Sequence, residues 1–141
     1  MTTTEETLKR EIIELSDYDA AAEALNQLKH LNRELTENLT LDIIRNNKGD
    51  EYFQAFAFQT LYSLNIQKGI QLIKNPPEHL NTATLDAMIE CTTVDSGIAA
   101  DHPEVLEAAK ILKETIRNLD AEKSHRMKDT IDWFLETYQN I

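Results

Sequence analysis

The sequence predicts an all-α protein, and three observations carry the prediction. Valine occurs only as Val94 and Val105, so the β-branched alternation that a sheet requires is missing. Gly and Pro number three each, too few for the many turns of an all-β chain. Leu, Ala, Glu, Ile and Lys recur at i, i+3 and i+4 spacing. At 141 residues the chain is expected to be one helical-repeat domain, 1–141, of about eight short helices in antiparallel pairs.

The first helix is expected over about 4–16, with Leu8, Ile12 and Leu15 on one stripe and capping boxes from Thr2 and Thr3 to Glu5 and Glu6. Ser16 or Asp17 opens the second, whose stripe is Tyr18, Ala21, Ala22, Leu25 and Leu28, running on toward Leu35. Thr36 is placed to cap a third, with Leu39, Ile43 and Ile44, and Asn46-Asn47-Lys48-Gly49 is its stop. Asp50 caps the fourth, about 51–64, which is apolar nearly all round. Phe53, Phe56, Ala57, Leu61 and Leu64 form one face, and Ala55, Phe58 and Tyr62 the other. A helix with two apolar faces is expected between other helices.

A short fifth helix carries Ile66, Ile70 and Ile73 and ends at Pro76-Pro77. Asn81 caps the sixth between the staple residues Leu80 and Leu85, with Leu85, Met88, Ile89 and Thr92 as its buried stripe. A loop of roughly 94–102 follows, and Pro103 opens the seventh in its first turn. That helix carries Val105, Leu106, Ala109, Leu112 and Ile116. An eighth begins after Asn118-Leu119-Asp120 with Met127, Ile131, Phe134, Leu135 and Tyr138.

Charge is the strongest functional signal. The net charge is −11, concentrated in two blocks, 1–51 and 79–110. Residues 75–109 contain no Lys or Arg but seven acids: Glu78, Asp86, Glu90, Asp95, Asp101, Glu104 and Glu107. A field of one sign repels nucleic acid, whose phosphates need cations, and steers a basic protein partner. Asp86 and Glu90 lie four apart, so both project from one side of the sixth helix with no base on that helix to relieve them. Asp95 and Asp101 occupy the following loop. Glu104 and Glu107 are explained by the dipole at the start of the seventh helix. Asp50, Glu51 and Tyr52 combine acids and an aromatic at the start of the fourth, a surface suited to gripping a basic patch. Trp133 points roughly 150° from its helix's apolar stripe at 100° per residue, and is either an interface anchor or covered by another element. The partner-binding candidates are therefore Asp86, Glu90, Asp95, Asp101, Asp50, Glu51, Tyr52 and Trp133.

Catalytic and cofactor signals are missing. His30, His79, His102 and His125 are scattered, no second cysteine joins Cys91, and Gly49, Gly69 and Gly97 are isolated. No zinc motif or phosphate loop can be written from them. Glu122 and His125 have di-metal spacing once, unrepeated. The expectation is a protein that is not an enzyme, with no cofactor and no metal. Cys91, near the apolar stripe of its helix, reads as a buried structural thiol. The bases Lys123, His125, Arg126 and Lys128 are interrupted by Asp120, Glu122, Asp129 and Asp132, as in surface ion pairing. The lone cysteine, the lack of a cationic start with an apolar core, and the lack of a bilayer-length apolar run lead to an expected cytoplasmic location without membrane contact.

An internal repeat is visible at an offset of 33 residues: Ala22-Glu-Ala-Leu-Asn-Gln-Leu28 aligns with Ala55-Phe-Ala-Phe-Gln-Thr-Leu61. Helix pairs recurring at this period are expected to form a short α-solenoid. Together with the acidic balance and small size, these paired segments resemble the HEAT-like immunity proteins of bacterial polymorphic-toxin systems, including contact-dependent growth inhibition systems. The resemblance spans residues 17–139. It implies a HEAT-like fold and a role in binding and blocking a cognate toxin domain, a nuclease and by preference an RNase, inside the producing cell. It carries no catalytic motif. An acidic adaptor or regulatory module with another basic partner is the alternative.

Overall fold

A computed structural model describes residues 3–99 and 101–141. The chain is all-helical, with no strand among the described residues. Among the described residues nine α-helices follow in order: α1 Thr3–Glu14, α2 Tyr18–Leu31, α3 Arg33–Arg45, α4 Glu51–Leu64, α5 Ile66–Lys74, α6 Thr82–Val94, α7 Pro103–Arg117, α8 Ala121–Arg126 and α9 Lys128–Thr137. A 3-10 turn, Asp95–Ile98, follows α6. The Thr2 capping box lies outside the described residues.

The two-faced apolar pattern of α4 places it at the centre, where it packs against α2, α3, α5 and α6. Phe53, Ala57 and Leu61 are buried on one side of it, and Phe58 and Tyr62 on another. The large ones among them, such as Phe53, Phe58 and Leu61, contribute about 1.5–3 kcal/mol each when removed from water. In turn α6 packs against α4, α7 and α9, so its expected stripe, Leu85, Met88, Ile89 and Thr92, is wholly buried. The core is one contiguous cluster from Ile12 to Tyr138.

The repeat extends further than the sequence reading placed it. Asp17 and Asp50, 33 apart, cap α2 and α4 through their side chains, and both helices are 14 residues long. Asn32 and Asn65, again 33 apart, each end one helix and start the next. Their backbone angles are nearly the same, φ −152°, ψ 90° and φ −149°, ψ 92°. Each side chain accepts a bond from the backbone N–H three residues on, at Leu35 and Lys68. Each also donates backward, Asn32 to Glu5 and Asn65 to Glu37. One extended residue between two helices turns the chain tightly while satisfying orphaned backbone groups on both sides.

Several boundaries differ from expectation. Thr36 does not cap α3. It is buried one turn inside that helix, with its hydroxyl donating to the Asn32 carbonyl at 2.9 Å, because Asn32 is the better-placed cap. The expected loop at 94–102 begins with ordered 3-10 structure. The eighth helix is two helices that break at Met127, whose φ of −107° and ψ of 17° depart from helical values. Tyr18 and Leu135, assigned to apolar stripes, are exposed. Tyr18 instead lays its ring against Phe53 at 5.7 Å between centroids.

Candidate functional site

The packing of α4 on α6 leaves a groove along their outer edge. On α4 the residues facing it, Tyr52, Ala55, Phe56, Gln59, Tyr62 and Ser63, follow helical i, i+3, i+4 spacing. On α6 the matching stripe is Ala83, Asp86, Ala87, Glu90, Cys91 and Val94, and Asp95 closes it. Ala55, Ala83 and Ala87 line the groove beside the carboxylates, and Arg126 and Met127 join the lining at the Tyr52 end. One end, beside Tyr52 and Asp86, has a volume of about 450 Å3. The other, beside Tyr62 and Asp95, has about 520 Å3. They meet at Gln59 and Glu90, which line both.

Four of the eight sequence candidates are brought together here: Tyr52, Asp86, Glu90 and Asp95. Tyr52 is 70% exposed at the mouth. Asp86, Glu90 and Asp95 form no ion pair among the described residues. The Asp86 Oδ1 atom is buried and receives no hydrogen bond. Asp50 and Glu51 are occupied by internal contacts at the rim. Asp50 accepts from the Phe53 N–H at 2.8 Å as the cap of α4. Glu51 accepts from the Arg126 guanidinium at 2.6 Å, tying α8 to α4 beside the Tyr52 end. Asp101 is exposed and Trp133 is 44% exposed on α9; neither lines the groove. Lys74 takes Glu107 at 2.7 Å, so that acid is paired. Within the basic cluster, Lys128 bonds Asp132 at 2.6 Å one turn on, while Arg126 reaches across to α4.

Tyr62, Gln59 and Cys91 were not among the sequence candidates. Tyr62 is 7% exposed, and its hydroxyl has no partner within hydrogen-bonding distance among the described residues, the neighbouring Asp95 carboxylate being the acceptor nearest to hand for its proton while its oxygen lone pairs stay unmet. Burial, and after it the neighbouring Asp95 carboxylate, push its ionisation well above the ordinary phenol range. Its ring is fixed from behind: a Cβ on Gly69 would lie 2.6 Å from the Tyr62 Cδ2 atom and 3.2 Å from its Cα, so only glycine lets α5 pack this closely. Phe58 contacts the same ring at 5.8 Å between centroids. The Cys91 thiol is pushed up to about 12 by burial first and then by Glu90 and Asp95, which makes it a poor nucleophile at neutral pH. The mixed polarity of the stripe from Tyr52 to Ser63 was the available signal. A purely core-facing helix would not alternate Tyr, Gln, Tyr and Ser along one edge.

Among the described residues, no group of three or more His, Cys, Asp or Glu is arranged to hold a metal ion, and no helix is long and apolar enough to cross a membrane. The groove thus combines three carboxylates that form no salt bridge among the described residues with alanine and aromatic side chains, and Arg126 joins the lining at its Tyr52 end. No family model matches this chain, and neither the curated proteins nor the solved structures yield a match to it.

Proposed function

We propose that this chain is a cytoplasmic immunity protein that binds and neutralises a cognate toxin domain, a nuclease and by preference an RNase, through the acidic α4/α6 groove. In this reading the pairs α2–α3, α4–α5 and α6–α7 are stacked HEAT-like repeats, and the groove is the binding edge of the stack. The observation that carries the reading is that Asp86, Glu90 and Asp95 line one groove and form no ion pair among the described residues, Arg126 on the same lining being taken by Glu51. Carboxylates held this way pair with the Lys and Arg groups that a nuclease uses to hold phosphate. Their field raises the rate of encounter more than it raises affinity. Tyr52 supplies an exposed aromatic that loses its water on contact.

The test is to capture the native binding partner, express its toxin domain, and measure inhibition by the wild type and by the double variant D86K/E90K. The wild type is expected to abolish the toxin's activity at equimolar ratio. The double variant should raise Kd roughly tenfold or more, since each reversal places like charges face to face. Reversal at the exposed Glu90 should leave Tm little changed, since it has no ion pair to lose, whereas D86K brings a cation to Arg126 and Lys128, so the neutral pair D86N/E90Q is measured beside it to separate binding from stability. An unchanged Kd removes the groove from the interface, and an uninhibited toxin removes the immunity reading.

A further inference from the structure

Two of the three buried side-chain oxygens that lack a hydrogen bond among the described residues, Tyr62 Oη and Asp86 Oδ1, lie on this groove, one toward each end. A buried polar atom without a partner is rare in folded proteins and asks for a cause. At the Asp86 end the bases Arg126 and Lys128 stand close by. At the Tyr62 end no Lys, Arg or His among the described residues contributes to the lining. The unsatisfied group there belongs to a side chain more than nine-tenths buried, held in place by Gly69 and Phe58.

We propose that this end of the groove is a socket for one arginine side chain of the protein partner; the proposal rests on the inhibitor reading above and names the group that the site takes. Glu90 and Asp95 supply two carboxylates and Tyr62 a third oxygen, so the socket presents acceptors and no cation. A guanidinium carries five N–H donors in a rigid plane and can address two carboxylates and a hydroxyl at once. The Tyr62 hydroxyl accepts from the guanidinium and keeps its proton for Asp95. Val94 and Ile66 border the same hollow and suit the methylene stem. The roughly 520 Å3 volume leaves room for the flanking backbone of the incoming segment. A lysine ammonium has only three donors on a flexible stem and meets these acceptors less completely.

The experiment has two arms. In the first, N-acetyl-arginine amide and N-acetyl-lysine amide are titrated into the isotope-labelled full chain and followed by amide chemical shifts. The arginine probe is expected to move Tyr62, Glu90, Val94 and Asp95 together and to bind more tightly than the lysine probe. Tyr62→Phe, which keeps the buried ring, should weaken arginine binding about tenfold, the scale of a hydrogen bond to a charged group. Shifts scattered over the acidic surface, equal response to both probes, or no effect of Tyr62→Phe would each overturn the socket. In the second arm, Tyr62→Phe and E90Q/D95N are assayed against the cognate toxin domain. If the wild type inhibits and both variants inhibit equally well, the socket is overturned while the inhibitor reading stands. If the arginine probe binds as expected but the wild type inhibits no toxin, the socket is supported and the inhibitor reading falls.

Discussion

Trp133 shows how a single residue is read twice. Its angle on the helix places it away from the stripe of Met127, Ile131, Phe134 and Tyr138, all of which are buried. The fold leaves it 44% exposed on α9, outside the groove. Its emission in the free protein is therefore expected near the wavelength of a solvated indole and to be reduced by an aqueous quencher. A blue-shifted, shielded emission would place it in the core. If the groove is the contact surface, toxin binding should leave that emission unchanged, whereas a binding-induced blue shift would move the interface to α9. Tyr62 is the contrasting case. It was read from the sequence as part of an apolar face, and the ring is indeed buried, but its hydroxyl reaches the hollow beside Asp95. Residue type and period locate a ring; they do not say where its oxygen ends up.

The elements are joined by a device that the chain uses twice. Asn32 and Asn65 each cap two helices and bond backward to an acid on an earlier helix. Both bonds are partly buried, but Asn65 to Glu37 is 2.8 Å and ends on a buried acid, against 3.3 Å for Asn32 to the less buried Glu5. Asn65→Ala is accordingly expected to cost about 1–3 kcal/mol, through a lost cap and a buried acid left short of a donor, and Asn32→Ala about 1 kcal/mol. Chemical denaturation of the two variants measures the difference; equal losses would mean that the acid contact adds nothing to the cap. Legibility at this scale was uneven. Asp17, Asp50, Asn81 and Pro103 were readable as starts because local chemistry alone sets a helix N-terminus. The break at Met127 was not, because no Gly or Pro marks it. Met127 is buried against the α4/α6 groove, and tertiary packing holds it there.

For the whole molecule, charge and acid stability are linked. Burial works to raise the Glu37 pKa, but hydrogen bonds from Asn65 and Lys68, and the charges of Lys68 and Arg33, outweigh it and hold the carboxyl below its ordinary value near 4.5. Asp42 is also held low, chiefly by Lys48. A carboxyl whose folded value is depressed contributes stability that is fully present above its unfolded value and lost as pH falls through the folded one. Stability is thus expected to be flat from neutral pH down to about 5 and to fall below about 4.5, less steeply in E37Q, as followed by Tm against pH. Unchanged steepness in E37Q would assign the acid limb to other groups. At the same scale, the association rate with a basic partner should drop steeply between low and physiological salt, as the Debye length shrinks to about 8 Å. A rate insensitive to salt would remove electrostatic steering.

The sequence by itself determined the helical class, the central place of α4, most helix starts and the acidic block, because these rest on period, capping chemistry and charge count, all local properties of the chain. Only the tertiary structure decided which acids remain unpaired. Glu51 and Glu107 met Arg126 and Lys74 across long sequence separations, while Asp86, Glu90 and Asp95 form no ion pair among the described residues. The physical reason is that a side chain's charge is fixed by its type, but its neutralisation depends on which helix faces arrive within about 4 Å of it, and that is set by packing.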